Sequence, residues 1–137
     1  MATQLARTAP VAIIDADKNH PVVTWSTAPG FPANIEVISD ITDANFYDRL
    51  DDVARRTPFV LIDPEGTANV ISSLAISAAD LVIILLGAHR GMTVQSRRHG
   101  YISALLGIPH FVIAVNKMDL VQYDQEVFKR IQTEYKA

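Results

Sequence analysis

Val11-Ala12-Ile13-Ile14-Asp15-Ala16-Asp17 is the stretch that decides the fold, because its unbroken apolar run leads directly into two aspartates. A short apolar run without polar alternation predicts a strand covered by helices on both faces, as in a parallel sheet. Asp15 and Asp17 then stand at the carboxyl end of this strand, where open α/β sheets bind their ligands. The stretch therefore predicts both a fold class and the edge at which to look for a site.

Similar short apolar runs, separated by helix-length segments, follow along the chain. The further predicted strands are Ile35–Ser39, Phe59–Asp63, Leu81–Leu86 and Phe111–Asn116. The first of these is the most mixed in polarity, so we place it at an edge of the sheet. The predicted helices are His20–Thr27, Asp43–Arg56, Ala68–Ala78, Thr93–Leu106 and Asp124–Tyr135, with Ala2–Arg7 docking on the sheet. This βαβα alternation predicts one parallel sheet with right-handed crossovers.

Local signals mark the ends of several of these helices. Thr42 or Asp43 is available as N-cap of the second helix, and Thr67 of the third. The fourth ends at Gly107, a favoured residue after a helix C-terminus. That helix places four apolar residues on one face: Val94, Tyr101, Leu105 and Leu106.

Composition is typical of a single soluble domain spanning residues 1–137. The chain has no cysteine and no apolar run near the ~20 residues of a membrane span, and its start, Met1–Arg7, lacks the apolar region of a signal peptide after its charge. We therefore expect a cytoplasmic-type protein without a targeting signal. A net charge of −3 gives no electrostatic reason to expect nucleic acid or membrane binding. We predict no partner, and a monomer or weak dimer.

The charges are unevenly divided along the chain. Residues 1–86 carry eleven acids against five bases, a net charge of −6, whereas residues 87–137 carry four acids against seven bases, a net charge of +3. We interpret this asymmetry as a hint that the two parts have different histories.

The first part resembles plasmid and chromosome partition ATPases of the P-loop class. The resemblance rests on Val11–Asp17, on Asn19–Trp25 and on Phe59–Asn69. It implies that an aspartate of the first stretch lies near magnesium and the attacking water, and that Asp63 is the Walker B aspartate. Lys18 departs from the family, which usually has proline there.

The second part, from about residue 80 to 137, resembles the GTPase subunit of sulfate adenylyltransferase. The carrying stretches are Gln95–His99, Leu105–Ile108 and Val115–Val121. Within the last stretch, Asn116-Lys117-Met118-Asp119 matches the guanine-recognition motif N-K-x-D of translation-factor-like GTPases. The resemblance implies that Asp119 accepts hydrogen bonds from the guanine N–H groups, that Asn116 supports the loop, and that Lys117 lies over the base.

Both resembled families hold phosphates with a G-x-x-x-x-G-K-[ST] loop, and no such run occurs in this sequence. We therefore expect neither NTP hydrolysis nor any other native catalytic function. The seam near Asp80–Gly87 falls at an equivalent strand of both families. The chain is interpreted as an engineered chimeric scaffold. In the resembled families, the strand that leads into the P-loop lies between the Asp63 strand and the Leu81–Leu86 strand. If that strand is absent and the gap closes, we expect the remaining five strands to form a parallel sheet in the flavodoxin-like order 2-1-3-4-5, within a three-layer sandwich.

The sequence leaves other interpretations open. The runner-up is a vestigial guanine-nucleotide binder using Asn116, Lys117 and Asp119, with weak magnesium binding at Asp15, Asp17 and Asp63; otherwise no cofactor is expected. A phospho-receiver would use the same acids, but Gly87-Ala88 stands where receivers place a hydroxyl. Flavin binding is another alternative, but the acidic loop after the first strand would repel the phosphate of a flavin. A truncated natural gene product should fold poorly.

Overall fold

A computed structural model describes residues 1–66, 69–108 and 110–136, with Lys136 described by its backbone alone. The strands are β1 (Val11–Ala16), β2 (Ile35–Ile38), β3 (Phe59–Pro64), β4 (Leu81–Gly87) and β5 (His110–Asn116). The helices are α1 (Ala2–Leu5), α2 (Pro21–Ser26), α3 (Phe46–Ala54), α4 (Val70–Ala78), α5 (Val94–Leu105) and α6 (Gln125–Lys136). A 3₁₀ turn, Met118–Val121, lies between β5 and α6. Each predicted strand and helix falls within three residues of its predicted bounds. The N-cap of α3 is Asn45 rather than the predicted Thr42 or Asp43, and the predicted N-cap Thr67 lies outside the described residues.

The prediction of one five-stranded sheet is wrong, because the described strands form two separate parallel sheets. The first has the order β2-β1-β3, with β2 at its edge as predicted, and the second pairs β4 with β5. The order 2-1-3-4-5 requires a hydrogen-bonded ladder between β3 and β4, and that ladder is not formed. Apolar runs specify strands, but the pairing of two strand edges depends on backbone placement that the runs do not encode.

The chain divides into two compact units, residues 1–75 and residues 76–137. In the first unit, β1 is buried on both faces, which explains its unbroken apolar run. Val11 and Ile13 pack with residues of α1 and α2 on one face, whereas Ala12 and Ile14 pack with Val53 of α3 on the other. The unit therefore has the helix–sheet–helix layering expected for the whole chain.

In the second unit, α6 covers one face of the two-stranded sheet. Ile131 of α6 is 1% exposed and packs on Ile84 and Leu86 of β4. Helix α5 begins at its N-cap Thr93, whose hydroxyl accepts a hydrogen bond from the Ser96 N–H at 3.1 Å. Beyond the end of α5, Gly107 adopts φ +67°, as the predicted C-terminal glycine should.

Helix α5 turns its apolar side outward. Val94, Tyr101 and Leu105 are 87%, 66% and 67% exposed, whereas Ser96 and Ser103 are buried. The Ser103 hydroxyl donates to the His99 carbonyl at 2.8 Å, so its burial leaves no donor unpaired. The predicted apolar face exists, but α5 buries its small hydroxyl residues instead.

A side chain at Gly100 of α5 would require Tyr135 to move. A Cβ added there would lie 2.1 Å from the Tyr135 hydroxyl oxygen. We expect Gly100→Ala to destabilise the second unit by about 1–3 kcal/mol, the usual cost of overpacking. In a Tyr135→Phe background the cost should fall, because the clashing oxygen is gone and alanine favours the helix. Chemical denaturation followed by circular dichroism of the four proteins of this cycle measures the coupling, and equal costs in both backgrounds would contradict it.

No helix in the described ranges combines the length and the apolar character needed to cross a bilayer.

Candidate functional site

The N-K-x-D residues form an exposed loop directly after β5. Asn116 is the last residue of that strand, and its backbone carbonyl accepts the Ala88 N–H at 2.8 Å, which ties the loop to the end of β4. The Asn116 side-chain oxygen accepts the Lys117 N–H at 2.8 Å. Asn116 therefore supports the loop from both its backbone and its side chain.

Lys117 and Asp119 are set by the backbone that follows. Lys117 adopts φ +58° in the left-handed region, which turns the chain into the 3₁₀ turn that contains Asp119. The Leu120 N–H closes this turn on the Lys117 carbonyl at 3.2 Å. Both side chains are exposed, and within the described ranges the Asp119 carboxylate takes part in no hydrogen bond or ion pair. An open carboxylate on a fixed turn can accept two hydrogen bonds from a ligand that offers adjacent N–H donors.

The predicted acidic residues lie at the carboxyl edge of the first unit's sheet. Asp15 and Asp63 are register partners on β1 and β3. Asp15 is fully buried, and its Oδ2 accepts the N–H groups of Val22 and Val23 at 2.9 Å each, at the start of α2. Asp17, in the loop after β1, accepts the backbone and side-chain N–H groups of Asn19 at 2.8 and 3.0 Å.

These carboxylates influence one another. Burial makes the largest contribution to raising the pKa of Asp63, and the negative charges of Asp15 and Asp17 raise it further. The cluster is therefore close enough for mutual repulsion. In the described part of the chain, however, no three acidic or histidine side chains are grouped closely enough to hold a metal ion. The magnesium assignment to Asp15, Asp17 and Asp63 stays a prediction that this geometry does not fit.

The raised pKa of Asp63 has a measurable consequence for stability. A carboxyl whose pKa is higher in the folded protein favours folding when protonated, so its contribution is lost as pH rises through that pKa. We expect Asp63→Asn to raise Tm at pH 7, and the gain to shrink as pH falls toward the ordinary aspartate pKa of about 3.8. Thermal unfolding in chelator across this pH range tests it, with the exposed Asp48→Asn on α3 as the matched control. A gain that is independent of pH would contradict the raised pKa of Asp63.

Two further acidic residues at this edge, Glu65 and Asp40, were not predicted as site residues. Glu65 forms an ion pair with Lys18 at 2.7 Å. Asp40, after β2, pairs with Arg49 of α3. Glu65 and Asp40 follow predicted strands, so their positions at the carboxyl ends could have drawn attention. Their pairing with bases could not be read from spacing.

Comparison with known proteins identifies the larger part of the chain. Residues 40–137 match the family described as the elongation factor Tu GTP binding domain. The chain belongs to this family. This GTP-binding-domain match begins well before residue 80, inside the segment interpreted as partition-ATPase-like. No finding supports the partition-ATPase resemblance.

Several relatives of this GTP-binding-domain chain are sulfate adenylyltransferase proteins. Sulfate adenylyltransferase subunit 1 of Psychromonas ingrahamii is 49% identical over 82 residues, which are 57% of this chain and 17% of the relative. The same subunit of Vibrio vulnificus is 44% identical over 85 residues, 61% of this chain and 18% of the relative. The bifunctional enzyme CysN/CysC of Xylella fastidiosa is 48% identical over 81 residues, 58% of this chain and 13% of the relative. The chain thus spans less than a fifth of the length of these relatives.

Two sequence predictions are overturned by these findings. The interpretation as an engineered scaffold without native function is wrong, because the chain belongs to a family of GTP-binding domains and is similar to natural sulfate adenylyltransferase subunits. The prediction that the chain is not an enzyme is contradicted as well, because its relatives are named as sulfate adenylyltransferase subunits and as a bifunctional enzyme.

Proposed function

We propose that this chain supplies the guanine-recognising part of a GTP-binding subunit that serves sulfate adenylylation. The observation that carries the proposal is the loop Asn116–Asp119. It combines the family's recognition residues with a supported backbone and an Asp119 carboxylate that is exposed and open. The substrate chemistry comes from the names of the relatives.

Each residue of the loop has a distinct task in this proposal. Asp119 accepts hydrogen bonds from the two adjacent N–H groups of guanine, which adenine does not offer in that arrangement. Asn116 holds the loop against the end of β4 through the Ala88 N–H. Lys117 lays its alkyl stem over the base. Specificity for guanine then depends chiefly on Asp119.

The phosphates are a separate matter. The 137 residues contain no G-x-x-x-x-G-K-[ST] run, so the proposal assigns base recognition to this chain and no step in which the γ-phosphate is held. Much of the binding energy of a nucleotide comes from its phosphates, and millimolar nucleotide is therefore the appropriate range for a test.

Thermal unfolding with GDP, ADP or no nucleotide tests the proposal. A ligand that binds the folded chain raises its stability, by about 2.7 kcal/mol when present at a hundred times its Kd. We expect GDP to raise Tm and ADP to leave it nearly unchanged. Equal shifts with both nucleotides would point to binding without base recognition, and no shift with either would remove the proposal.

A further inference from the structure

Strand β4 has no polar side chain along its length, yet it is paired along one edge only. Its residues, Leu81–Gly87, include neither a charge nor a proline. Such an unbroken run is typical of a strand enclosed within a parallel sheet. Among the described strands, however, β4 pairs with β5 alone. One row of its backbone N–H and C=O groups therefore has no strand beside it, and a sheet of two strands is marginal by itself.

The pairing with β5 fixes which backbone groups lie on this free edge. The Ala88 N–H donates to the Asn116 carbonyl at 2.8 Å, and the parallel register runs unbroken from there back to Leu81. Because successive residues of a strand direct their backbone groups to opposite edges, the even-numbered residues of β4 face β5. The free edge is formed by the odd-numbered residues Leu81, Ile83, Leu85 and Gly87.

The free edge is bordered by an exposed apolar face. Leu81 and Leu85 are 47% and 68% exposed, whereas Ile84 and Leu86, which pack with α6, are 5% and 2% exposed. An exposed edge strand with apolar side chains pairs readily with another chain unless a charge or a proline prevents it. Neither is present in β4.

The free edges of β2 and β3 differ from that of β4. Strand β2 carries Glu36, which forms an ion pair with Arg56 of the segment after α3. Strand β3 ends with Asp63 and Pro64. Charges and proline on an edge discourage pairing with another chain. Of these three strands, β4 is the one whose edge is left open.

Charges at the two ends of β4 indicate what pairs with it. Asp80 directly precedes the strand, and Arg90 lies in the turn that follows it. Both side chains are exposed, and within the described ranges neither takes part in an ion pair or a hydrogen bond. When two copies of β4 pair in antiparallel fashion, the acidic start of each strand lies beside the basic end of the other. The strand is therefore complementary in charge to a second copy of itself.

The register of such a pair follows from the free-edge residues. With Ile83 opposite the partner's Leu85, the free-edge residues of both copies meet in hydrogen-bonded pairs. Asp80 then lies opposite the partner's Ala88. The partner's Arg90 is its diagonal neighbour, at a separation that long side chains can bridge.

We propose that the free edge of β4 binds the same edge of a second copy of this chain, antiparallel and about a two-fold axis, to form a continuous four-stranded sheet. Because both copies use the same edge, the contact closes at a dimer. The proposal goes beyond guanine recognition and does not depend on it, since the loop Asn116–Asp119 follows β5 and contributes no residue to the contact. Failure of either proposal leaves the other standing.

Sedimentation equilibrium of the whole chain tests the proposal. We expect a reversible dimer and no larger species. Leu85→Lys places a charge on the free edge and should raise the dissociation constant about tenfold or more. Val94→Lys makes a similar change at an 87% exposed apolar residue of α5 and should leave the constant unchanged. A wild-type chain that stays monomeric up to millimolar concentration, or equal effects of the two lysines, would overturn the proposal.

Charge reversal keeps the proposal testable if Leu85→Lys fails to fold, because Asp80 and Arg90 are exposed and outside the strand. Asp80→Arg and Arg90→Asp should each weaken the dimer several-fold, since each brings like charges together where the two copies meet. The double variant should recover the wild-type dissociation constant. Lack of recovery would overturn the antiparallel contact. Species larger than a dimer would do the same, because a two-fold contact leaves no β4 edge for a third copy.

Discussion

Replacing Asp119 with alanine is expected to abolish any preference of this chain for GDP over ADP. Two hydrogen bonds to a charged acceptor are each worth about 1.5–3 kcal/mol, so the affinity for GDP should fall about a hundredfold or more. The affinity for ADP should barely change, because adenine does not present the two adjacent N–H donors that the carboxylate accepts. Competition binding with both nucleotides measures the two effects side by side.

A second substitution at the same position separates recognition from structural damage. Asp119→Asn offers one acceptor and one donor, which complement the N–H and the carbonyl that xanthine presents where guanine has two donors. We expect the variant to lose GDP and to gain xanthosine diphosphate. Glu126→Gln removes an exposed charge from α6 and serves as the control. Loss of both nucleotides in Asp119→Asn, together with a lower Tm, would mean that the residue is needed for folding rather than recognition.

Truncation of Phe46 should have the largest effect on stability. The ring is 0% exposed on α3 and lies edge-on to Tyr47, with centroids 5.4 Å apart. Phe→Ala at a fully buried site costs about 3–5 kcal/mol through lost burial and the cavity left behind. This is a large fraction of the about 5–15 kcal/mol that stabilises a typical domain. Urea denaturation followed by the fluorescence of Trp25, the one tryptophan of the chain, reports on the unit that contains the substitution.

Phe59→Ala is the matched control for this experiment. The chemical change is the same, but Phe59 is 40% exposed at the start of β3, so less apolar surface returns to water. We expect it to cost no more than about half as much. Similar costs at the two positions would show that Phe46 is not buried in solution, and therefore that α3 does not pack on this unit as described.

The sequence alone placed the elements because their signals are local. The run Val11–Ile14 predicted a short buried strand, and β1 begins at its first residue. Gly107 ended its helix as predicted, since a φ of +67° suits glycine. The recognition loop was also legible, because Asn116, Lys117 and Asp119 act within four consecutive positions after one strand.

Only the tertiary structure decided how these elements combine. β3 and β4 were predicted to pair, but the strands form separate sheets, because an apolar run does not specify which edge another strand will meet. The outward apolar side of α5 and the orphan Oδ1 of Asp15 likewise depend on what packs against them. Local patterns fixed the strands, the helices and the guanine loop of this protein. Its pairing edges and its exposed surfaces depend on residues far apart in the chain, whose meeting no short pattern encodes.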